Sequence, residues 1–289
     1  MEPLREAHLR SLIAASLEED LAYGPDVTTL ATISADSTSR ARFISRAEGV
    51  VAGLDAIRYA LDTPDCEVTL HVSDGARACP GDVLAEVTAP TGRLLTAERT
   101  ILNILSHASG IATATRRWVD AVEGTTARIR DTRKTLPGLR ELQKYAVRAG
   151  GGVNHRMGLG DAAMIKDNHV AAVARGGGEG VTKALQAVRA HAPGIPCEVE
   201  VDTLDQLDAL LRLNEPPQLV LLDNFSVADT AEAVRRRDQV APGCELESSG
   251  GLTLERARAY AETGVAYLAV GALTHSVTAL DIGLDYAQD

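Results

Sequence analysis

Apolar positions recur along this chain with two different rhythms, and the change falls near Gly124. Upstream the pattern is mixed. Leu9, Leu12, Ile13, Ser16, Leu17 and Leu21 form a helical stripe that stops at the Ala22–Pro25 break. Asp26-Val27-Thr28-Thr29 reads as a turn and a cap. Ser39–Ile44 and Val50–Leu54 predict strands, and Ala56–Leu61 a short helix. From Cys66 onward, EVTLHV and SDGARACPGDVLAEV alternate strand with turn around Pro80-Gly81-Asp82, which predicts a small, curved β unit. Thr96–Glu123 predicts a helix on which Ile101, Leu102, Leu105 and Ala108 share one face, broken near Gly110. This N-terminal third has the pattern of a mixed α+β domain and by itself points to no chemistry.

Beyond Gly124, short β-branched runs alternate with amphipathic helices. The runs are Ala127–Asp131, Ala162–Lys166, Glu198–Asp202, Leu219–Asp223, Glu245–Ser249 and Tyr267–Gly271. The helices between them are Leu139–Ala149, Val181–His191, Leu204–Leu213, Val227–Arg236 and Leu254–Glu262. A repeated βα unit predicts a parallel sheet, and the spacing is close to that of a barrel, although two strands short of eight. A doubly wound open sheet is the competing layout, but no G-x-G-x-x-G follows any of these strands. The glycine-rich stretch Arg175–Gly180 reads as a mobile loop.

Composition bounds the rest. The chain has 289 residues, 45% apolar and 24% charged, and no apolar run approaches the ~18–20 residues of a membrane span. Its acidic start lacks a signal-peptide core, and Cys66, Cys79, Cys197 and Cys244 are scattered, which predicts reduced thiols in a cytoplasmic protein. Net charge is −11 and aromatics are only 3%, a poor match to nucleic-acid binding. Against that background, Arg128–His169 carries nine Lys/Arg and four Asp/Glu. Arg140, Lys144 and Arg148, spaced by four, read as the solvated face of a helix. Arg130, Arg133, Lys134, Arg156 and Lys166 fit no such stripe and suggest a bound anion.

The strand ends sort by chemistry. Cations follow the first two runs, carboxylates the middle two (Glu200, Asp202, Asp223), and small flexible residues the last two (Ser248-Ser249-Gly250-Gly251 and Gly271). In a parallel barrel these ends share one face, where barrel enzymes place their chemistry, with phosphate sites built after the last strands. Ser248–Gly251 and Gly271-Ala272-Leu273 suit a phosphate, with His275 close by. Glu200 and Asp223 suit Mg²⁺, and the arginines suit planar carboxylates.

At these residues the chain resembles the quinolinate phosphoribosyltransferase family. The resemblance runs over nearly the whole chain and is carried by RDTRKTLPGLRELQKYAVRAGGGVNHRMGLGDAAMIKDNH, then EVEVD, LLDNF, ESSGG and VGALTHS. It implies an α/β fold of type II phosphoribosyltransferase kind. An N-terminal α/β sandwich (1–112 with 275–289) would accompany an incomplete, open α/β barrel (113–274). It further implies transfer of phosphoribosyl from 5-phosphoribosyl 1-pyrophosphate to quinolinate with decarboxylation, a step of NAD synthesis. By matching positions, Thr132, Arg133, Lys134, His155, Arg156 and Lys166 would hold quinolinate and neighbouring pyrophosphate. Glu200 and Asp223 would flank ribose and Mg²⁺, partly through substrate and water. Ser248, Ser249, Gly250, Gly271, Ala272, Leu273 and His275 would receive the 5′-phosphate. Lys134, Lys166, Glu200 and Asp223 are the implied catalytic set. Arg99 would reach the partner's pocket in a homodimer, or in a larger assembly such as a hexamer. Three other readings stay open on the residues alone. They are an aldolase-like Schiff base on Lys166, a paralogue acting on another pyridine or anion, and a noncatalytic anion-binding protein.

Overall fold

A computed structural model of the protein describes residues 2–173 and 176–287. The chain opens with α1 (Glu6–Leu21) and α2 (Val27–Thr32), the latter capped by Asp26, whose carboxylate accepts from Thr29 N–H. There follow β1 (Thr38–Ser45), β2 (Gly49–Val50), α3 (Asp55–Ala60), β3 (Glu67–Leu70), β4 (Arg77–Ala78) and β5 (Val83–Pro90). Next comes α4, which runs unbroken from Thr91 to Ala121. The break expected at Gly110 does not occur. A Cβ there would lie 2.3 Å from the Thr278 carbonyl oxygen, so this glycine serves the close approach of another segment.

The second rhythm gives β6 (Arg128–Arg130), α5 (Arg140–Ala149), β7 (Ala163–Ile165), α6 (Asp167–Val173), α7 (Gly177–His191), β8 (Cys197–Val201) and α8 (Leu204–Leu211). It continues with β9 (Leu219–Asp223), α9 (Val227–Val240), β10 (Glu245–Ser249), α10 (Leu254–Ala261) and β11 (Tyr267–Ala269). The chain closes with α11 (Ala272–His275) and β12 (Ile282–Tyr286). The predicted loop at Arg175–Gly180 is corrected from Gly177 onward. Those residues form the first turn of α7, in which Gly177 and Glu179 face solvent while Gly180 and Val181 are buried. Arg175 lies outside the described residues.

Two compact units result. The first comprises 1–116, 135–151 and 273–289, and the second 117–134 and 152–272. In the first, an antiparallel sheet is ordered β12-β1-β5-β3, with β12 pairing Ala41 to Tyr286 through Ser45 to Ile282. Its core is built from Phe43, Leu84, Leu94, Ile101 and Leu105, all fully buried, together with Ile57 and Leu61. The helix α5 is buried on nearly every side. Lys144 is 0% exposed and Gln143 equally so. The reading of Arg140, Lys144 and Arg148 as a solvated face is therefore wrong. Arg140 Nε donates to Thr135 Oγ1, and the Arg148 guanidinium lies 5.6 Å from the Tyr145 ring centre. Spacing identifies a helix face but not which face meets water.

The second unit is an open α/β barrel, a six-stranded parallel sheet ordered β6-β11-β10-β9-β8-β7. The strands β6 and β7 are its edges and do not pair with one another. Alternation along each strand sends Val199, Val201, Val220, Leu222, Leu246 and Leu268 to one face, all buried. The opposite face carries Arg130, Glu198, Glu200, Leu221, Asp223, Glu247, Ser249 and Ala269. Beyond β6, Val153 runs parallel to Arg130, its N–H donating to Ile129 O at 2.8 Å. Among the described residues no helix is long and apolar enough to cross a membrane.

Candidate active site

At the C-terminal ends of these strands lies a cavity of about 410 Å³. Thr132, Arg133, Lys134, His155, Arg156, Lys166, Glu200, Asp223 and Ser249 line it, with Met164, Leu221, Glu247 and Ala269 as its floor and walls. Residues from six strand ends therefore converge, as the polar endings suggested.

Its cationic side is unbalanced. Burial lowers the pKa of Arg156, and the neighbouring Arg133 guanidinium lowers it further. Arg156 Nη1 donates to the Ala162 carbonyl at 2.9 Å. The Nε–H groups of both arginines are buried and have no acceptor among the described residues. Two adjacent guanidinium groups with unsatisfied buried donors make a strong demand for anionic oxygens.

The acidic side faces Lys166. Its Nζ donates to Glu200 Oε2 at 2.5 Å, and its own N–H is held by His169 Nδ1 at 2.9 Å. Being 45% exposed and ion-paired, Lys166 lacks the desolvated setting that activates a Schiff-base lysine, so the aldolase-like reading loses its support. Asp223 is pushed above the usual carboxylate range by burial, then by Glu200 and Asp202, while Lys166 and Lys134 oppose this. Asn224 Nδ2 donates to Asp223 Oδ2 at 2.7 Å, and Asn224 has a left-handed φ of 56°.

Beneath the cavity lies a charged layer built around two glutamates, Glu198 and Glu247, that the sequence did not single out. Arg130 Nη1 donates to Glu247 Oε2 at 2.7 Å and stacks 4.7 Å from the Tyr267 ring centre. Glu198 accepts from His155 Nε2 at 2.5 Å. Burial pushes Glu198 up to about 7 and Glu247 up to about 8, Arg130 pulling both down. The Oε1 atoms of both glutamates are buried without partners, which one proton shared between the carboxyls would remedy. The period of two put both side chains inside the barrel, and that was the available signal. His155, Glu198 and Glu247 are also the described group whose ligand atoms cluster within 4.8 Å. Because both ring nitrogens of His155 and one oxygen of each glutamate are already held within the protein, with the Arg130 cation alongside, we read this as a buried polar network and not a metal centre.

Of the other predicted residues, Ser248 is 1% exposed on the face opposite Ser249, and its Oγ has no partner among the described residues. Gly250 follows with φ 86°. The half-buried Gly271 and the exposed Ala272 follow β11. Leu273 and His275 belong to the first unit, Leu273 buried and His275 exposed with Nδ1 2.6 Å from Ser276 Oγ. Arg99, also in the first unit, is exposed on α4.

Family profiles described as the N-terminal and C-terminal domains of quinolinate phosphoribosyl transferase match residues 26–109 and 111–285. The chain belongs to this family. It is accordingly a phosphoribosyl-transferring enzyme, a pentosyltransferase. It is 60% identical to the nicotinate-nucleotide pyrophosphorylase [carboxylating] of Mycobacterium leprae, covering 96% of each chain. A quinolinate phosphoribosyltransferase [decarboxylating] of Nicotiana glauca is 39% identical over 96% of this chain and 81% of its own length. The crystal structure of the Ehrlichia chaffeensis nicotinate-nucleotide pyrophosphorylase superposes with a TM-score of 0.88 at 35% identity, covering 96% of this chain and 98% of that one.

Proposed function

We propose that the chain joins quinolinate to 5-phosphoribosyl 1-pyrophosphate, releasing pyrophosphate and CO₂ and leaving nicotinate mononucleotide. The observation that carries this reading is the pair of buried, acceptor-less Nε–H groups on Arg133 and Arg156. A pyridine bearing two adjacent carboxylates supplies two neighbouring sets of anionic oxygens, and a guanidinium binds each in a planar fork. Holding the ring this way aims its nitrogen at the ribose carbon, and such alignment is worth up to ~7–11 kcal/mol. Lys134 and Lys166 set positive charge beside the departing pyrophosphate. After N-ribosylation the ring is a pyridinium, which stabilises the carbanion left by the 2-carboxylate, so the protein needs to retain only the 3-carboxylate.

Glu200 and Asp223 fit a divalent cation shared with substrate phosphates. Asp223 is crowded by Glu200 and Asp202, and a cation would relieve that repulsion. Bound there, Mg²⁺ would act as Lewis acid and template towards pyrophosphate. Ser249 and the backbone around Gly250 and Gly271 suit the 5′-phosphate, with Ser248, Ala272, Leu273 and His275 in the same segments.

We assign the working form as a cytoplasmic homodimer, or a larger assembly such as a hexamer, in which Arg99 serves a neighbouring site. In support, the first unit bears Tyr23, Val27 and Leu30 exposed beside an open cleft of about 610 Å³ lined by Leu17, Leu21, Arg93 and Thr96. Arg99 lies one turn beyond Thr96. Incubation with quinolinate, phosphoribosyl pyrophosphate and Mg²⁺ tests the reaction. CO₂ and pyrophosphate should appear in equal amounts, and pyrophosphate from nicotinate but not from quinolinate would overturn it.

A further inference from the structure

The open barrel has a seam. Its edge strands β6 and β7 do not pair, and the chain between Val153 and Arg156 runs across that gap. Side chains fasten it. Asp131, 0% exposed at the end of β6, accepts from His155 N–H at 2.7 Å and from Asn154 Nδ2 at 2.6 Å. The His155 ring then reaches β8, where Nε2 meets Glu198 Oε2 at 2.5 Å. Its other nitrogen, Nδ1, accepts the backbone N–H of Arg156 at 2.7 Å. Arg156 is tied in turn to the approach to β7 through Ala162 O.

These contacts fix the imidazole state by geometry. Nδ1 accepts a backbone N–H, so it carries no proton, and the ring proton sits on Nε2 and is donated to Glu198. Both ring nitrogens are thus engaged within the protein.

We propose that Asp131 and Glu198 are positioning residues that act through His155 to set Arg156 for the substrate carboxylate. Neither touches the substrate. Each removes a rotational freedom from the segment bearing Arg156, whose free Nε–H would otherwise have no fixed direction. This assignment rests on the proposed quinolinate reading for its kinetic consequences, but not for its imidazole geometry.

The test has two arms. In the first, ¹⁵N-histidine-labelled protein without substrate is examined by NMR, the His155 resonances being identified by their loss in His155→Asn. A neutral ring protonated at Nε2 is expected, and a ring protonated at Nδ1 overturns the proposal. In the second, calorimetry and kinetics compare Glu198→Ala, Glu198→Gln and Asp131→Asn with the wild type. Glutamine keeps an acceptor for Nε2–H and should hold quinolinate affinity close to wild type. Alanine should weaken it by up to about 100-fold, mostly in KM for quinolinate and not for the phosphoribosyl donor. A folded Glu198→Ala protein with unchanged quinolinate affinity overturns the proposal. If alanine does not fold, a loss of about 100-fold in quinolinate affinity in the folded Glu198→Gln protein overturns it instead. A wild-type protein inert towards quinolinate would count against the proposed reaction and leave the NMR arm decisive.

Discussion

Asn224 and Gly250 are fitted face to face at the ends of neighbouring strands. A Cβ on Gly250 would lie 2.2 Å from Asn224 Oδ1 and 2.9 Å from its backbone nitrogen, and Gly250 itself has φ 86°. Asn224 N–H donates to Ser249 O at 2.9 Å, while its side-chain amide holds Asp223. Gly250→Ala therefore combines backbone strain with a clash that displaces Asn224 and, through it, Asp223. We expect a loss of about 2–5 kcal/mol in denaturant unfolding, with a fall in kcat. Gly251→Ala, with φ 58° but open space around it, should cost only about 1–2 kcal/mol.

The buried carboxyl pair predicts a pH dependence of stability. Glu198 and Glu247 have folded pKa values of about 7 and about 8, above their ordinary value of 4.5. Raised values mean that folding takes up protons. Their contribution is complete below about pH 4.5 and is lost as pH climbs through about 7 and then 8. Urea unfolding should show stability falling by on the order of a few kcal/mol between about pH 6 and pH 9. Glu247→Gln should flatten that slope, and a slope unchanged by it would show that this pair is not the source.

Much of this was legible beforehand, and the omissions have physical causes. The βα rhythm located all six parallel strands, because alternating buried residues such as Val199 and Val201 are visible as text. The polar endings located the cavity, because strand ends of a parallel sheet share one side. What the text could not show was depth. Lys144 looked solvated and is fully buried, since helical spacing is the same on either face. Gly110 looked like a break and is a contact point. Asp131, Glu198 and Glu247 were passed over because their meaning depends on partners brought together across the sheet, and Glu198 lies 43 positions from His155.

Replacing Arg133 or Arg156 by lysine tests the fork geometry. Lysine keeps the charge but cannot give two parallel hydrogen bonds, nor supply the buried Nε–H of either arginine. A charge-assisted hydrogen bond is worth about 1.5–3 kcal/mol, so each substitution should lower kcat/KM for quinolinate by about 10- to 100-fold. Arg156→Lys should be the more damaging for folding, because it also gives up the 2.9 Å bond to Ala162 O. Turnover at the wild-type KM in either variant would rule out bidentate binding at that position.

The assignment of Arg99 to a neighbouring site makes a prediction that a single chain cannot satisfy. Arg99→Ala and Arg133→Ala should each be inactive alone, the first lacking the donated guanidinium and the second the receiving pocket. In a mixed dimer, one pocket has an intact Arg133 and also receives an intact Arg99 from the other subunit, while the second pocket lacks both. Mixing equal amounts after reversible dissociation should therefore restore about a quarter of wild-type activity, because half the dimers are mixed and each has one complete site. If Arg99 served its own subunit's pocket, no combination would hold a complete site and activity would stay at the level of the separate variants. Subunit exchange, checked by mass spectrometry of differently labelled chains, makes either result interpretable.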